Sequence, residues 1–283
     1  MRKTLAHFNE LVMMSHSIFS LPFIFIAMLV AAEGWFGWEL LLLGGLAAFT
    51  ARNFAMAFNR YVDRDIDAQN ARTAKRPSVD GRVSATAMMV FMVVNALGFV
   101  ATSYAINSLA FALSIPILLV LASYSYFKRF SAMAHVVLGV TLGLAPIAGA
   151  IAVSASIPAW SAMLASGVVL WVAGFDILYS LQDVEFDTKQ GLFSIPSRFG
   201  VQNALSIALA FHIMTVVLWG WFVVETNLGV WGYIAVGASA VMLGYEHALV
   251  RRDFVHINRA FFTVNGYIGI FFLFCVAMQK VVM

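Results

Sequence analysis

The stretch 85–129, ATAMMVFMVVNALGFVATSYAINSLAFALSIPILLVLASYSYFKR, decides what kind of molecule this is. It holds two apolar runs, 85–106 and 108–127, with only Ile106–Ser108 between them and the basic pair Lys128–Arg129 at its end. Each run matches the roughly 20 residues an α-helix needs to cross a bilayer. A link this short joins neighbouring antiparallel helices, so the stretch predicts a pair of membrane spans. The basic pair marks the cytoplasmic end of that pair.

Working outward, similar apolar runs recur near 15–33, 39–59, 134–154, 160–180, 203–224, 229–249 and 260–280. The expected fold is all-α, a polytopic membrane bundle of about nine transmembrane helices. Composition agrees. Of 283 residues 62% are hydrophobic and 11% charged, whereas soluble domains average about 45–50% and 25%. The connections alternate between short ones almost free of Lys and Arg (Glu33–Glu39, Ile106–Ser108, Ser154–Pro158, Glu225–Gly229) and basic ones (Arg60–Arg82, Lys128–Arg129, Lys189–Arg198, Arg251–Arg259). If the basic set faces the cytoplasm, every Lys and Arg except Lys280 lies on or near that side. This places the N-terminus in the cytoplasm and the C-terminus outside.

Residues 1–283 read as a single domain, because no linker or low-complexity tract interrupts them. Arg2 and Lys3 before the run from Ser17 to Ala32 could be read as a signal peptide, but the polar residues between are too spread out, and the run is taken as the first span. The net charge of +3 carries no aromatic-interleaved basic face, so nucleic acid is not an expected partner. The lone Cys275 excludes disulfides and cysteine-based metal sites. Pro146 with Gly139, Gly143 and Gly149 suggests a kink or close helix contact in the 134–154 run.

The two longest connections are both on the basic side and hold most of the acidic residues. In the first, Asn59, Asp63 and Asp67 recur every four residues, so a continuing helix would stack them on one face. Such a stripe of oxygen ligands repels itself unless a cation sits among them. Mg²⁺ suits it, taking one or two carboxylates plus phosphate oxygens and water. Arg72, Lys75 and Arg76 follow and could meet phosphate charge directly. In the second, Tyr179, Asp183 and Asp187 share the spacing, with Asp176 one turn earlier inside or at the edge of an apolar run. A carboxylate at the centre of a span costs roughly 2.5–3.5 kcal/mol, less near the interface, so Asp176 is a functional candidate by default. The alternative is that these are solvated loop charges; two stripes on one face argue against it. Lys128 and Arg129, between the stripes, are explained equally by topology or by diphosphate binding. His16 and Asn53 are polar groups in apolar surroundings that could line a cavity; Asn265 is a weaker candidate.

The string Asn59-x-x-x-Asp63-x-x-x-Asp67-x-x-Asn70-x-Arg72-Thr73-x-x-Arg76-Pro77 resembles the first signature of the UbiA superfamily of intramembrane prenyltransferases. Asp176-x-x-Tyr179-x-x-x-Asp183-x-x-x-Asp187 is similar to its second signature, and Tyr124-x-x-x-Lys128 looks like its intervening tyrosine–lysine motif. Segments His16–Phe23, Arg52–Arg60 and Gln182–Asp187 resemble the 4-hydroxybenzoate-polyprenyltransferase-like members, above all the MqnP type of the futalosine route to menaquinone. The chain departs from the family after Pro77, where Ser78-Val79-Asp80-Gly81 replaces the usual Leu-Pro before glycine.

The resemblance implies an enzyme of the inner membrane, with its active site facing the cytoplasm, that moves a polyprenyl group from its diphosphate to an aromatic acceptor. Dihydroxynaphthoate is the expected acceptor. Mg²⁺ would be held by Asn59, Asp63, Asp67, Asp183 and Asp187. Arg72, Lys75, Arg76, Lys128, Arg129 and Lys189 would neutralise diphosphate oxygens, and Asp176 or Tyr179 would hold or deprotonate the acceptor hydroxyl. His16, Asn53 and Tyr124 would line the pocket. Sister activities, 4-hydroxybenzoate polyprenylation for ubiquinone or haem farnesylation, would use the same stripes. A secondary transporter would need acids near the midplane, and the Asp-Gly…Ala-Arg signature of alcohol phosphotransferases is absent.

Overall fold

The computed structural model describes residues 2–13, 19–254, 257 and 260–282, whose regular structure is helical with no strand among them. The helices are α1 (Arg2–Val12), α2 (Leu21–Ala31), α3 (Trp38–Val62), α4 (Arg64–Asp67), α5 (Ala85–Ile106), α6 (Ser108–Phe127), α7 (Ala134–Ser154), α8 (Ala159–Ser180), α9 (Val184–Gln190), α10 (Ile195–Phe199), α11 (Val201–Glu225), α12 (Gly229–Arg252) and α13 (Asn265–Ala277). Among the described residues eight helical segments are long and apolar enough to cross a membrane, and the shorter apolar α2 stands where the run 15–33 was expected. The protein is a multi-pass membrane protein. Helix α1 has no counterpart among the expected apolar runs.

The chain divides into two compact units. One comprises α1, α3 from Leu42 onward, α4, α5 and nearly all of α6; the other comprises α2, the start of α3 and α7–α13.

In the first unit, α1 packs its Phe8 and Leu11 against Val83 and Met88, and Phe8 stacks on Phe91 with ring centroids 4.8 Å apart. The chain leaves α1 through Met13 at φ 48°. The Met13 carbonyl accepts from Arg52 Nη2 at 2.5 Å, and its sulfur lies 3.1 Å from Arg60 Nη2. Helices α3, α5 and α6 share a small core of Ala55, Phe99, Leu118 and Leu121. Their outward faces carry Leu42, Val90, Val94, Leu97 and Leu119, all more than half exposed. In water that would be an adhesive patch; against lipid it costs nothing.

The second unit is built around α8. Trp171, Val172 and Ile177 are fully buried along it, and Phe23, Trp219, Phe222 and Phe272 from α2, α11 and α13 close around them. Without a hydrophobic drive between helices in lipid, close approach supplies the packing energy. Helix α7 achieves it through the glycines seen in sequence. A Cβ on Gly139 would collide with the Val169 carbonyl oxygen of α8, and one on Gly149 with the Ile24 carbonyl oxygen of α2.

Several polar groups inside this unit are paired with one another. Asn265 accepts from Trp171 Nε1 at 2.7 Å and donates to Glu246 Oε1 at 2.7 Å. His212 Nε2 lies 3.2 Å from the Trp171 carbonyl, which can only accept, so Nε2 carries the proton. Its Nδ1 then accepts from His247 Nε2 at 2.9 Å. Glu246, His212 and His247 are each nearly inaccessible.

Candidate active site

Both acidic clusters sit where a membrane helix ends. In the first unit the ladder runs through the break between α3 and α4: Asp63 N–H donates to the Asn59 carbonyl at 2.9 Å, and Asp67 N–H to the Asp63 carbonyl at 2.8 Å. The four-residue spacing is therefore realised as helical backbone, which sets Asn59, Asp63 and Asp67 in one row. Asn59 Nδ2 donates to Asp63 Oδ2 at 2.9 Å, and Asp63 and Asp67 are only 3% and 4% exposed. Arg76 donates to Asp67 Oδ2 at 2.6 Å, so the expected phosphate ligand Arg76 and the expected metal ligand Asp67 engage each other. Arg72 and Lys75 are exposed on the following loop. That loop is folded on itself, Thr73 Oγ1 donating to the Asp67 carbonyl at 2.9 Å and Val83 N–H to the Pro77 carbonyl at 2.9 Å. Asn53 is buried, and its Oδ1 accepts no hydrogen bond among the described residues. Tyr124 packs beside the α3–α5–α6 core, and the neighbouring Ser125 hydroxyl lies 3.5 Å from Asn59 Nδ2. His16 lies outside the described residues.

In the second unit the spacing is kept but the row bends. A 3₁₀ turn, Leu181–Asp183, separates α8 from α9. Each 3₁₀ residue advances about 20° more around the axis than an α residue, so Asp183 is turned by about 60° from a straight α row through Tyr179. Asp187, on α9, accepts from the Ser194 hydroxyl, with Asp183, Lys128 and His135 in electrostatic reach. The Lys128 carbonyl accepts from Phe193 N–H at 2.8 Å, which fixes that basic corner to the loop after α9. Arg129 is half-buried and Lys189 exposed. Tyr179 packs against Phe261 with ring centroids 4.3 Å apart and planes inclined at 37°. Asp176 is held from α7, where His135 Nδ1 lies 2.7 Å from its Oδ2.

Sequence reading gave His135 no role, nor did it single out Glu246, His212 and His247. His212, Glu246 and His247 lie inside apolar runs whose average hydropathy masks them, and His135 stands at the very start of α7. Among the described residues no three His, Cys, Asp or Glu side chains converge as a ready-made metal cage. Each stripe instead offers carboxylate oxygens in small number, which is the hard-oxygen set that Mg²⁺ completes with phosphate and water.

An all-helical membrane protein with carboxylate rows at its helix ends, each accompanied by basic residues, is the class that fold and site define. The UbiA prenyltransferase family pattern matches residues 20–276. The 4-hydroxybenzoate octaprenyltransferase of Paracidovorax citrulli is 30% identical over 246 residues, covering 86% of this chain and 82% of the relative. That of Cupriavidus pinatubonensis is 34% identical over 226 residues, covering 78% and 77%. Among solved structures, a UbiA homologue from Aeropyrum pernix superposes with a TM-score of 0.83 at 31% identity, covering 91% of this chain and 95% of that one. A UbiA homologue from Archaeoglobus fulgidus, solved bound to DMAPP and Mg²⁺, shares the fold with a TM-score of 0.74 at 19% identity, covering 95% and 98%. The chain belongs to the UbiA prenyltransferase family. It is an enzyme that transfers prenyl groups.

Proposed function

We propose that the chain, working as one intramembrane domain over residues 1–283, transfers a polyprenyl group from its diphosphate onto an aromatic ring at the cytoplasmic face of the inner membrane. The observation that carries this reading is the helical row Asn59–Asp63–Asp67, its two carboxylates buried at the end of a membrane span and followed by Arg72, Lys75 and Arg76. The charge alternation of the connections supports an N-terminus in the cytoplasm, which puts both acidic clusters on that side.

Asn59, Asp63, Asp67, Asp183 and Asp187 would hold Mg²⁺. When bound, the ion neutralises charge that grows on the departing diphosphate. Arg72, Lys75, Arg76, Lys128, Arg129 and Lys189 bind diphosphate oxygens, so positive charge is already in place where negative charge develops. Asp67 and Arg76 must loosen their mutual ion pair to do so. Asn53 and Tyr124 would line the acceptor side, the part that the sequence also suggests for His16. Asp176, with Tyr179 beside it, takes the acceptor's hydroxyl proton as the ring π electrons attack the allylic carbon and the carbon–oxygen bond to diphosphate breaks. The dienone that results loses its ring proton to the diphosphate and recovers the hydroxyl proton from Asp176. Overall one ring hydrogen is exchanged for a prenyl group and protonated diphosphate leaves.

The acceptor we assign is dihydroxynaphthoate, for menaquinone, on the strength of the His16–Phe23, Arg52–Arg60 and Gln182–Asp187 segments. A second reading, 4-hydroxybenzoate, is favoured by the activity named for the relatives above. An acceptor screen decides it. The purified protein with a labelled polyprenyl diphosphate should give product with dihydroxynaphthoate in preference to 4-hydroxybenzoate. The reverse order would assign the ubiquinone reaction, and haem farnesylation would show as product with haem alone.

A further inference from the structure

We infer that His135 is a positioning residue, holding the Asp176 carboxylate in the orientation that receives the acceptor's proton; this rests on the proposed role of Asp176. The argument starts from the two ring nitrogens. Ile195 N–H points at His135 Nε2 from 3.2 Å. A backbone N–H can only donate, so Nε2 must present its lone pair, and in the neutral ring the proton then sits on Nδ1. That proton is directed at Asp176 Oδ2, 2.7 Å away. The tautomer is thus set by the main chain of α10, and the carboxylate orientation is set by the tautomer.

Burial makes the arrangement one-sided. The His135 side chain is 6% exposed and that of Asp176 is 23% exposed. The imidazole is enclosed by protein, and the Asp176 side chain keeps part of its surface open. This is how an orienting group behind a base is arranged: one oxygen anchored, the side chain still accessible.

The same short loop links this pair to the second acidic cluster. Ser194 hydrogen-bonds Asp187. Its hydroxyl oxygen also accepts from Ser197 N–H at 3.3 Å, and the Ser194 N–H is capped in return by the Ser197 hydroxyl at 2.9 Å. The next residue, Ile195, supplies the N–H that reads His135. The residues that handle diphosphate and those that handle the acceptor are therefore registered by two consecutive positions of one chain segment.

Asn and Gln separate the two contacts of the imidazole. An Asn amide occupies the place of Nδ1 and can still donate to Asp176, while a Gln amide reaches the place of Nε2 and can still accept from Ile195. His135→Asn should keep most of the turnover. His135→Gln should lower kcat for ring prenylation by about 10²-fold, the scale of a misplaced general base, with KM for the polyprenyl diphosphate unchanged. The lost flux should reappear as polyprenyl alcohol, formed when water replaces the ring as nucleophile. This alcohol-to-product ratio does not depend on how much protein is folded. In an Asp176→Asn background, His135→Gln should cause no further loss.

A His135 that only braces the helices would give the opposite order, Gln better than Asn, with activity following Tm and the alcohol ratio unchanged; that result overturns the inference. Full activity in Asp176→Asn would instead remove the role of Asp176 itself. An inactive Asp176→Asn beside a fully active His135→Gln would leave that role standing and refute only the positioning by His135.

Discussion

Replacing Gly139 by Ala tests whether direct backbone contact between α7 and α8 holds the second unit together. The added Cβ would stand 3.1 Å from the Val169 carbonyl carbon and 3.3 Å from its Cα, inside the roughly 3.4 Å at which ordinary contact begins, and closer still to the carbonyl oxygen. No side chain can rotate away, because the obstacle is main chain, so α7 must retreat by about 1 Å from α8. Overpacking of this kind costs about 1–3 kcal/mol, and a backbone obstacle puts it near the upper end. Better helix propensity of Ala offsets about 1 kcal/mol, leaving a net loss of about 2 kcal/mol. At about 2–4 °C per kcal/mol, Tm in detergent should fall by about 4–8 °C. Gly237 on α12 is the control, since a Cβ there meets nothing within 4 Å; Gly237→Ala should leave Tm unchanged or raise it. Because His135 lies one turn before Gly139, the same retreat should also lower prenylation activity. An unchanged Tm in Gly139→Ala, or equal shifts in both variants, would refute the close-approach argument.

Asn265→Leu strips the partner from Trp171 Nε1 and Glu246 Oε1 together; it should destabilise by about 1–3 kcal/mol, whereas Glu246→Gln retains an acceptor and should leave Tm nearly unchanged, both read by thermal unfolding in detergent. On the surface, Arg82 grips Glu10 at 2.5 and 2.9 Å and Asp80 at 2.7 Å, joining α1 to the loop that carries Arg72 and Lys75. The backbone N–H and side chain of Arg82 hold the Asp80 carboxyl below its ordinary value of 3.8. The stabilisation this gives is complete above 3.8 and disappears as pH falls through the lower folded value. Hydrogen exchange in residues 68–84 should therefore quicken below that pH, and should already be fast at pH 7 in Arg82→Ala; equal protection in both proteins would dismiss the clasp.

The architecture was largely legible because apolar runs of span length have few alternative fates. The run 134–154 coincides with α7, and Gly139 and Gly149 stand at its close contacts as their placement suggested. Helix α1 escaped because it is too short and polar to register as a span, and its stability comes from Phe8 and Leu11 packing on residues more than 70 positions away. The row Asn59–Asp63–Asp67 could be read directly, since its backbone continues as a helix. The bend at Leu181–Asp183 could not, because counting in fours assumes α geometry throughout. Glu246, His212 and His247 were hidden by averaging, three polar side chains being too few to lower the apolarity of their runs. Asp80 was visible only as a departure after Pro77; its pairing with Arg82, and through it with Glu10, exists only once α1 has folded back.

The central proposal is that diphosphate departure is metal-assisted and requires carboxylates from each acidic cluster. Its most direct test is product formation by the purified protein in lipid nanodiscs, supplied with an all-trans polyprenyl diphosphate and dihydroxynaphthoate, with Mg²⁺ or with a chelator. The account predicts a prenylated ring and released diphosphate only with the divalent cation, and loss of both in Asp63→Ala and in Asp183→Ala at unchanged Tm. Full turnover in the chelator, or in either variant, would contradict it.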